Sequence, residues 1–203
     1  MDRARARDAV HQPLDPSSLA IGPPLILESA APDRATYLRR PDLGRQLDPE
    51  SAQHLTRGNW DAAIVVADGP SATAVHRQGP PLIDALMPQL GDWCVAPVCL
   101  VQQGRVVIGD EIGERLGARF TIVLIGKRPG LSSPGSLGAL SDLGAEIRLQ
   151  RRGTKCVSNI RQGGLKPELA ARRIDAIMCA AFSQELTGVH LKMTFCWIER
   201  LAS

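Results

Sequence analysis

The side chains that could do chemistry fall at a few places along the chain. Gly69-Pro70-Ser71 invites comparison with the nucleophile elbow of hydrolases, but G-x-S-x-G needs glycine at position 73, where threonine stands. Ser71 instead sits where a serine caps a helix. Asp68, Ser71 and His76 are the residue types of a triad, yet they crowd within nine residues and their spacing gives them no placement. His76 reads as a solvated histidine on a short helix. Gly126-Lys127 lacks the spacing and the following hydroxyl of a phosphate-binding loop, so it reads as the start of a loop. Cys156 has no identifiable base, and a small buried thiol is the default for it.

The five cysteines (94, 99, 156, 179 and 196) are odd in number and follow neither a disulfide nor a zinc pattern. Cys94 and Cys99 share one apolar run and read as small core residues. The four histidines, at 11, 54, 76 and 190, are too scattered to predict a shared metal site. No G-x-G-x-x-G joins a strand to a helix, which leaves nicotinamide and flavin binding without support.

These residues need elements to hold them. Residues 62–67 form a β-rich apolar run that ends at Asp68-Gly69. A second run covers 94–101, and 120–125 is continuous enough to be buried on both faces. Residues 110–116 carry Ile112 and Leu116 four apart, with Gly117 in the stop position. Residues 146–150 alternate as an edge strand would, a short run spans 156–160, and 168–185 predicts a long helix. Strands alternating with helices predict an α/β domain with a largely parallel sheet flanked by helices. In such sheets ligands gather beyond the carboxyl ends of the strands, which points to the loops 68–73, 127–136 and 156–164.

Seven of the 15 prolines lie between His11 and Glu50. That density forbids a long helix or a central strand there and predicts a Pro-rich N-terminal arm lying on the domain or on a partner. The length of 203 residues suits one domain plus such an arm. The 24 basic and 21 acidic residues give +3, and 3% of residues are aromatic. Both figures argue against a dedicated nucleic-acid binder. No apolar run reaches the roughly 20 residues of a membrane span, and no secretory pattern follows Met1, so a soluble, cytoplasmic protein is expected.

Five blocks then come in order: YLRRPDLGRQL at 37–47, ADGPSATAV at 67–75, GRVVIGDEIGERLGAR at 104–119, RPGLSSPGSLG at 128–138 and CVSNIRQGGL at 156–165. Together they resemble the light (small) chain of adenosylcobalamin-dependent ethanolamine ammonia-lyase, across about residues 7–192. The resemblance implies a lyase that converts ethanolamine to acetaldehyde and ammonia and is active only with a heavy chain. The heavy chain's barrel holds the substrate, and the corrinoid lies between the chains. It implies a Rossmann-like domain over 56–203 that binds cobalamin, and a segment over 1–55 that contacts the heavy chain. A cytoplasmic location is implied, with a bacterial microcompartment as the site within it.

No D-x-H-x-x-G stretch occurs, so the resemblance implies adenosylcobalamin bound base-on, its own base kept on cobalt. The family's corrinoid-touching positions fall on Val106, Lys127 and Cys156. Lys127 departs from the family's glutamate: an ammonium only donates hydrogen bonds, where a carboxylate accepts them. Ser132, Ser133, Ser158 and Asn159 are further hydrogen-bonding candidates. The match begins near Ala6, which predicts a chain about one segment shorter than its family. Residues 140–155 drift from the pattern, and 193–203 are unfamiliar. The competing expectation is a non-catalytic corrinoid-binding or assembly protein.

Overall fold

The computed structural model describes residues 14–19, 23–127, 135–143 and 155–186. Six strands form one sheet: β1 (Leu25–Glu28), β2 (Ala62–Ala67), β3 (Cys99–Gln102), β4 (Phe120–Gly126), β5 (Leu137–Leu143) and β6 (Lys155–Ile160). Five helices accompany them: α1 (Arg34–Arg39), α2 (Pro49–Gln53), α3 (Ala72–Leu86), α4 (Ile108–Leu116) and α5 (Pro167–Leu186). The strand order is β1-β3-β2-β4-β5-β6.

The sheet is mixed, which corrects the expectation of a largely parallel one. β1, β3, β2 and β4 are mutually parallel, whereas β5 runs against both β4 and β6. The reason lies in the connection. A parallel return needs a crossover of a dozen or more residues, commonly a helix. Only ten residues separate β4 from β5; the Lys127 amide donates to the Ser136 carbonyl at 3.0 Å, and β5 pairs with β4 along its whole length. The alternating segment at 146–150 lies outside the described residues.

Leu25–Glu28 is an edge strand of this same sheet. Pro23 and Pro24 stand just before it, where a missing N–H disturbs no ladder. Leu27 is fully buried, while Ile26 faces outward at 52% exposure.

β2 and β4 are buried along their entire length because helices pack on both sides. On one face α3 and α5 press Val75, Leu82, Leu86, Ile174 and Met178 against Ile64, Leu100, Ile122 and Leu124. On the other, α4 sets Ile108, Ile112 and Leu116 against Val65, Val101 and Val123. Ser71 caps α3, accepting from the Ala74 amide at 3.3 Å. The helix it opens is longer than expected, at 15 residues, and holds Pro80 and Pro81 inside it. Gly117 ends α4 in the left-handed conformation, φ 73°.

Candidate functional site

Side chains alternate across a strand, so pairing register carries one face outward from the middle of the sheet. On the α4 side, Val123 lies opposite Leu140, and Leu140 opposite Cys156. One row nearer the carboxyl end, Ile125 faces Gly138. α4 rests directly on β4: a Cβ at Gly109 would collide with Val123 Cγ2, and one at Gly113 with Thr121 Oγ1. Past α4 this face opens, with Leu140 half-buried and Cys156 exposed.

Lys127 follows β4 on the same face. Its chain lies over Gly138, where a Cβ would stand 2.5 Å from Lys127 Cε. Its ammonium makes no ion pair or hydrogen bond among the described residues. Val106, in the turn between β3 and α4, packs on the apolar cluster of this face, and its neighbour Val107 is 48% exposed. The structure therefore sets Val106, Lys127 and Cys156 on one side of the sheet, Cys156 lowest and farthest out.

Other expectations fare differently. The loop 68–73 offers a ligand little, because Asp68, Ser71 and Ala72 are buried at 1% exposure or less. A Cβ at Gly126 would meet the Ser71 and Asp68 carbonyls, so β4 and this turn close the gap where a crevice was expected. His76 Nε2 accepts the Asp15 amide at 3.0 Å instead of serving Ser71. Cys156 and Cys94 are both exposed, correcting their reading as buried thiols, whereas burial pushes the Cys99 thiol up to about 12. Ser158 is exposed. Asn159, at φ 61°, has its carboxamide oxygen taken by Arg161 Nε at 2.8 Å. Ser132 and Ser133 lie outside the described residues, as do most of the loop 127–136 and the tail 193–203.

Next to Val106 lies a polar cluster that no local pattern announced. Asp68 Oδ2 accepts from Arg34 Nη1 and Oδ1 from the Gly104 amide, each at 3.1 Å. The fully buried Tyr37 ring has the Arg34 guanidinium 4.6 Å and the Arg105 guanidinium 4.5 Å from its centroid. Burial pushes the Tyr37 phenol up to about 12, so it stays a neutral donor. Its only sequence signal was charge: an aspartate directly after a buried strand.

Burial also pushes the Asp68 carboxyl up to about 6, against the pull of Arg34 and of the Gln103, Gly104 and Gly69 amides. A native value above the unfolded one of about 3.9 means the native state binds the proton more tightly. This group's contribution to stability therefore falls as pH rises from about 4 to about 6. Over that window, urea titrations should show wild type losing stability relative to Asp68→Asn. A difference that moved the opposite way would show the guanidinium, not burial, in control of the carboxyl.

Among the described residues no three His, Cys, Asp or Glu side chains group to hold a metal ion, and no helix is long and apolar enough to cross a membrane. The fold is an α/β domain whose sheet face, past α4, carries the half-buried Leu140, Lys127 and the exposed Cys156. The family profile described as ethanolamine ammonia-lyase light chain matches residues 1–192. The small subunit of this enzyme from Azotobacter vinelandii is 49% identical, over 93% of this chain and 75% of its own length. Those from Ralstonia nicotianae and Pseudomonas fluorescens Pf0-1 are 48% and 47% identical, again over 93% of this chain, and over 75% and 74% of their own lengths. The chain belongs to the ethanolamine ammonia-lyase light-chain family.

Proposed function

We propose that this chain is the light subunit of an adenosylcobalamin-dependent ethanolamine ammonia-lyase and completes the corrinoid site against a large subunit that holds ethanolamine. The observation that carries the reading is the shared sheet face of Val106, Lys127 and Cys156. A corrin macrocycle has a broad apolar edge fringed with amide arms, and the residues present suit it. Leu140, Val106 and the Cys156 thiol offer apolar contact. The Lys127 ammonium and the Ser158 hydroxyl offer hydrogen bonds at the margins.

The chemistry such a cofactor supplies is homolysis of a cobalt–carbon bond, which lets an adenosyl radical take hydrogen from the substrate. This chain's residues orient the macrocycle and exclude water from its edge. Base-on binding follows from the missing D-x-H-x-x-G stretch, the pattern in which a protein histidine displaces the cofactor's own base. The segment 1–55 contacts the large subunit, with the exposed Ile26 of β1 as one contact, while 56–203 supplies β2 to β6 of the Rossmann-like sheet that carries the corrinoid. The location is cytoplasmic, within a bacterial microcompartment.

Mixing the full chain with a large subunit and adenosylcobalamin should release acetaldehyde from ethanolamine, and neither chain alone should do so. Retained cobalamin without turnover would leave an assembly protein instead. Two further outcomes probe the face itself. Iodoacetamide should label Cys156 quickly, Cys99 hardly at all, and cobalamin in the assembled complex should protect Cys156. Lys127→Glu supplies an acceptor for the amide N–H groups of the arms and is expected to tighten cobalamin about tenfold. An unchanged affinity would remove Lys127 from the contact.

A further inference from the structure

Costly features gather in the turn that carries Val106. Two non-glycine residues among those described have positive φ: Gln103, at 56°, opens this turn, and Asn159, at 61°, is the last but one residue of β6. Of three buried side-chain polar atoms without a hydrogen-bond partner among the described residues, two belong here, Gln103 Oε1 and Arg105 Nε. The Arg34–Asp68 ion pair beside them is largely withdrawn from water, with side-chain exposures of 14% and 2%. Buried ion pairs add little net stability, and strain kept in one place points to a task there.

The hydrogen bonds indicate the task. Gly104 is held at both ends: its amide donates to Asp68 Oδ1 at 3.1 Å and its carbonyl accepts from the Tyr37 hydroxyl at 3.4 Å. Arg105 is held three times. Its amide donates to the Gly44 carbonyl at 2.7 Å, its Nη2 to the Tyr37 carbonyl at 3.2 Å, and its guanidinium stacks on the Tyr37 ring. Arg34 ties α1 to the end of β2 through Asp68 and through the Gly69 carbonyl at 2.8 Å. A Cβ at Gly104 would stand 3.0 Å from Val101 and 3.1 Å from Ala67, so the turn has no slack against the sheet. Val106 is the next residue along.

We infer that Tyr37, Arg34, Asp68 and Arg105 are positioning residues, a clamp joining the N-terminal segment to the ends of β2 and β3 that fixes the height of Val106 above the sheet face and so shapes the corrinoid contact. This rests on the reading of that face as a corrinoid site. None of the four touches the macrocycle in this scheme. They act through the backbone of Gly104 and Arg105, and the segment before β2 thereby contributes to a site built on later strands.

A double-mutant cycle on the full chain, assembled with the large subunit, tests it. The readouts are cyanocobalamin affinity, from the absorbance change on binding, and the thermal midpoint of the chain. Val106→Ala removes direct contact and should weaken binding about tenfold. Tyr37→Phe keeps the ring and its stacking but loses the bond to Gly104, and should weaken binding about fivefold while the midpoint falls by about 2–4 °C. If Tyr37 acts through Val106, the double variant should weaken binding about tenfold, not the roughly fiftyfold of independent sites. Arg105→Lys, which keeps the charge and gives up the planar fork, should fall in the same coupled pattern.

Additive losses, or affinity that follows the thermal midpoint across the variants, would make the cluster purely structural and overturn the inference. Val106→Ala without effect would overturn the corrinoid face itself and the inference with it. A weakened Val106→Ala beside an unaffected Tyr37→Phe and Arg105→Lys would sink the clamp alone.

Discussion

Asp68→Ala is expected to cost the chain about 3–5 kcal/mol of folding stability, a large part of the 5–15 kcal/mol typical of a domain. The Asp68 side chain is 2% exposed and its partner Arg34 14% exposed, so the truncation takes the carboxylate from beside a guanidinium that water reaches poorly. It also leaves the Gly104 amide without its acceptor. Breaking one side of such a pair is far costlier than replacing both sides. The double change Asp68→Asn with Arg34→Met should therefore lie within about 1 kcal/mol of wild type, since asparagine still accepts from Gly104 and both charges leave together. Urea midpoints for the two variants check the contrast. Equal losses in both would mean that the pair is needed for stability in its own right, which would remove the argument that it is kept for placement.

The elements that sequence made legible are those whose apolar residues come in unbroken runs. Ala62–Ala67 and Phe120–Gly126 are buried on both faces and needed no context. Ser71 and Gly117 announced a helix start and a helix stop through chemistry local to the backbone. β5 was illegible because Gly138, Ala139 and Ser141 carry little strand signal of their own. They become a strand by pairing with β4, and the small Gly138 leaves room for Lys127. β1 showed its apolar residues but not its neighbour, since pairing with β3 joins residues more than 70 positions apart.

The site divides the same way. Val106 and Cys156 carry no catalytic pattern and came from family resemblance, while strand register placed Cys156 on the face and packing on its apolar cluster placed Val106. The expected crevice at 68–73 failed because nothing local reveals that Gly126 packs on the Ser71 carbonyl. The clamp was hidden for a similar reason. Arg34, Asp68 and Gly104 are spread over three segments and meet only after the parallel strands are in place.

Gly109→Val should show that the fold and the site share one support. Replacing a helical glycine normally helps the helix: alanine gains about 1 kcal/mol over glycine, and valine keeps part of that gain. Here the added side chain would run into Val123 Cγ2 on a strand buried along its whole length. Neither partner can yield easily, because Val123 is β-branched with restricted χ1 and β4 is held between β2 and β5. Overpacking of this kind costs about 1–3 kcal/mol and outweighs the propensity gain. Urea unfolding should thus place Gly109→Val about 2 kcal/mol below wild type, and Gly113→Val, which meets Thr121, at a similar level. The two variants should part on corrinoid binding. Gly109 lies in the first turn of α4, three residues after Val106, so lifting that end displaces the turn that the clamp holds down. Gly113 lies one turn farther on, toward the end of the helix that the Gly58 amide ties down by donating to the Leu116 carbonyl at 2.9 Å. Gly109→Val should therefore lose about tenfold in cyanocobalamin affinity, and Gly113→Val clearly less, at matched stability. Equal affinity losses would mean that any loosening of α4 empties the site and that the height of Val106 is not what sets it.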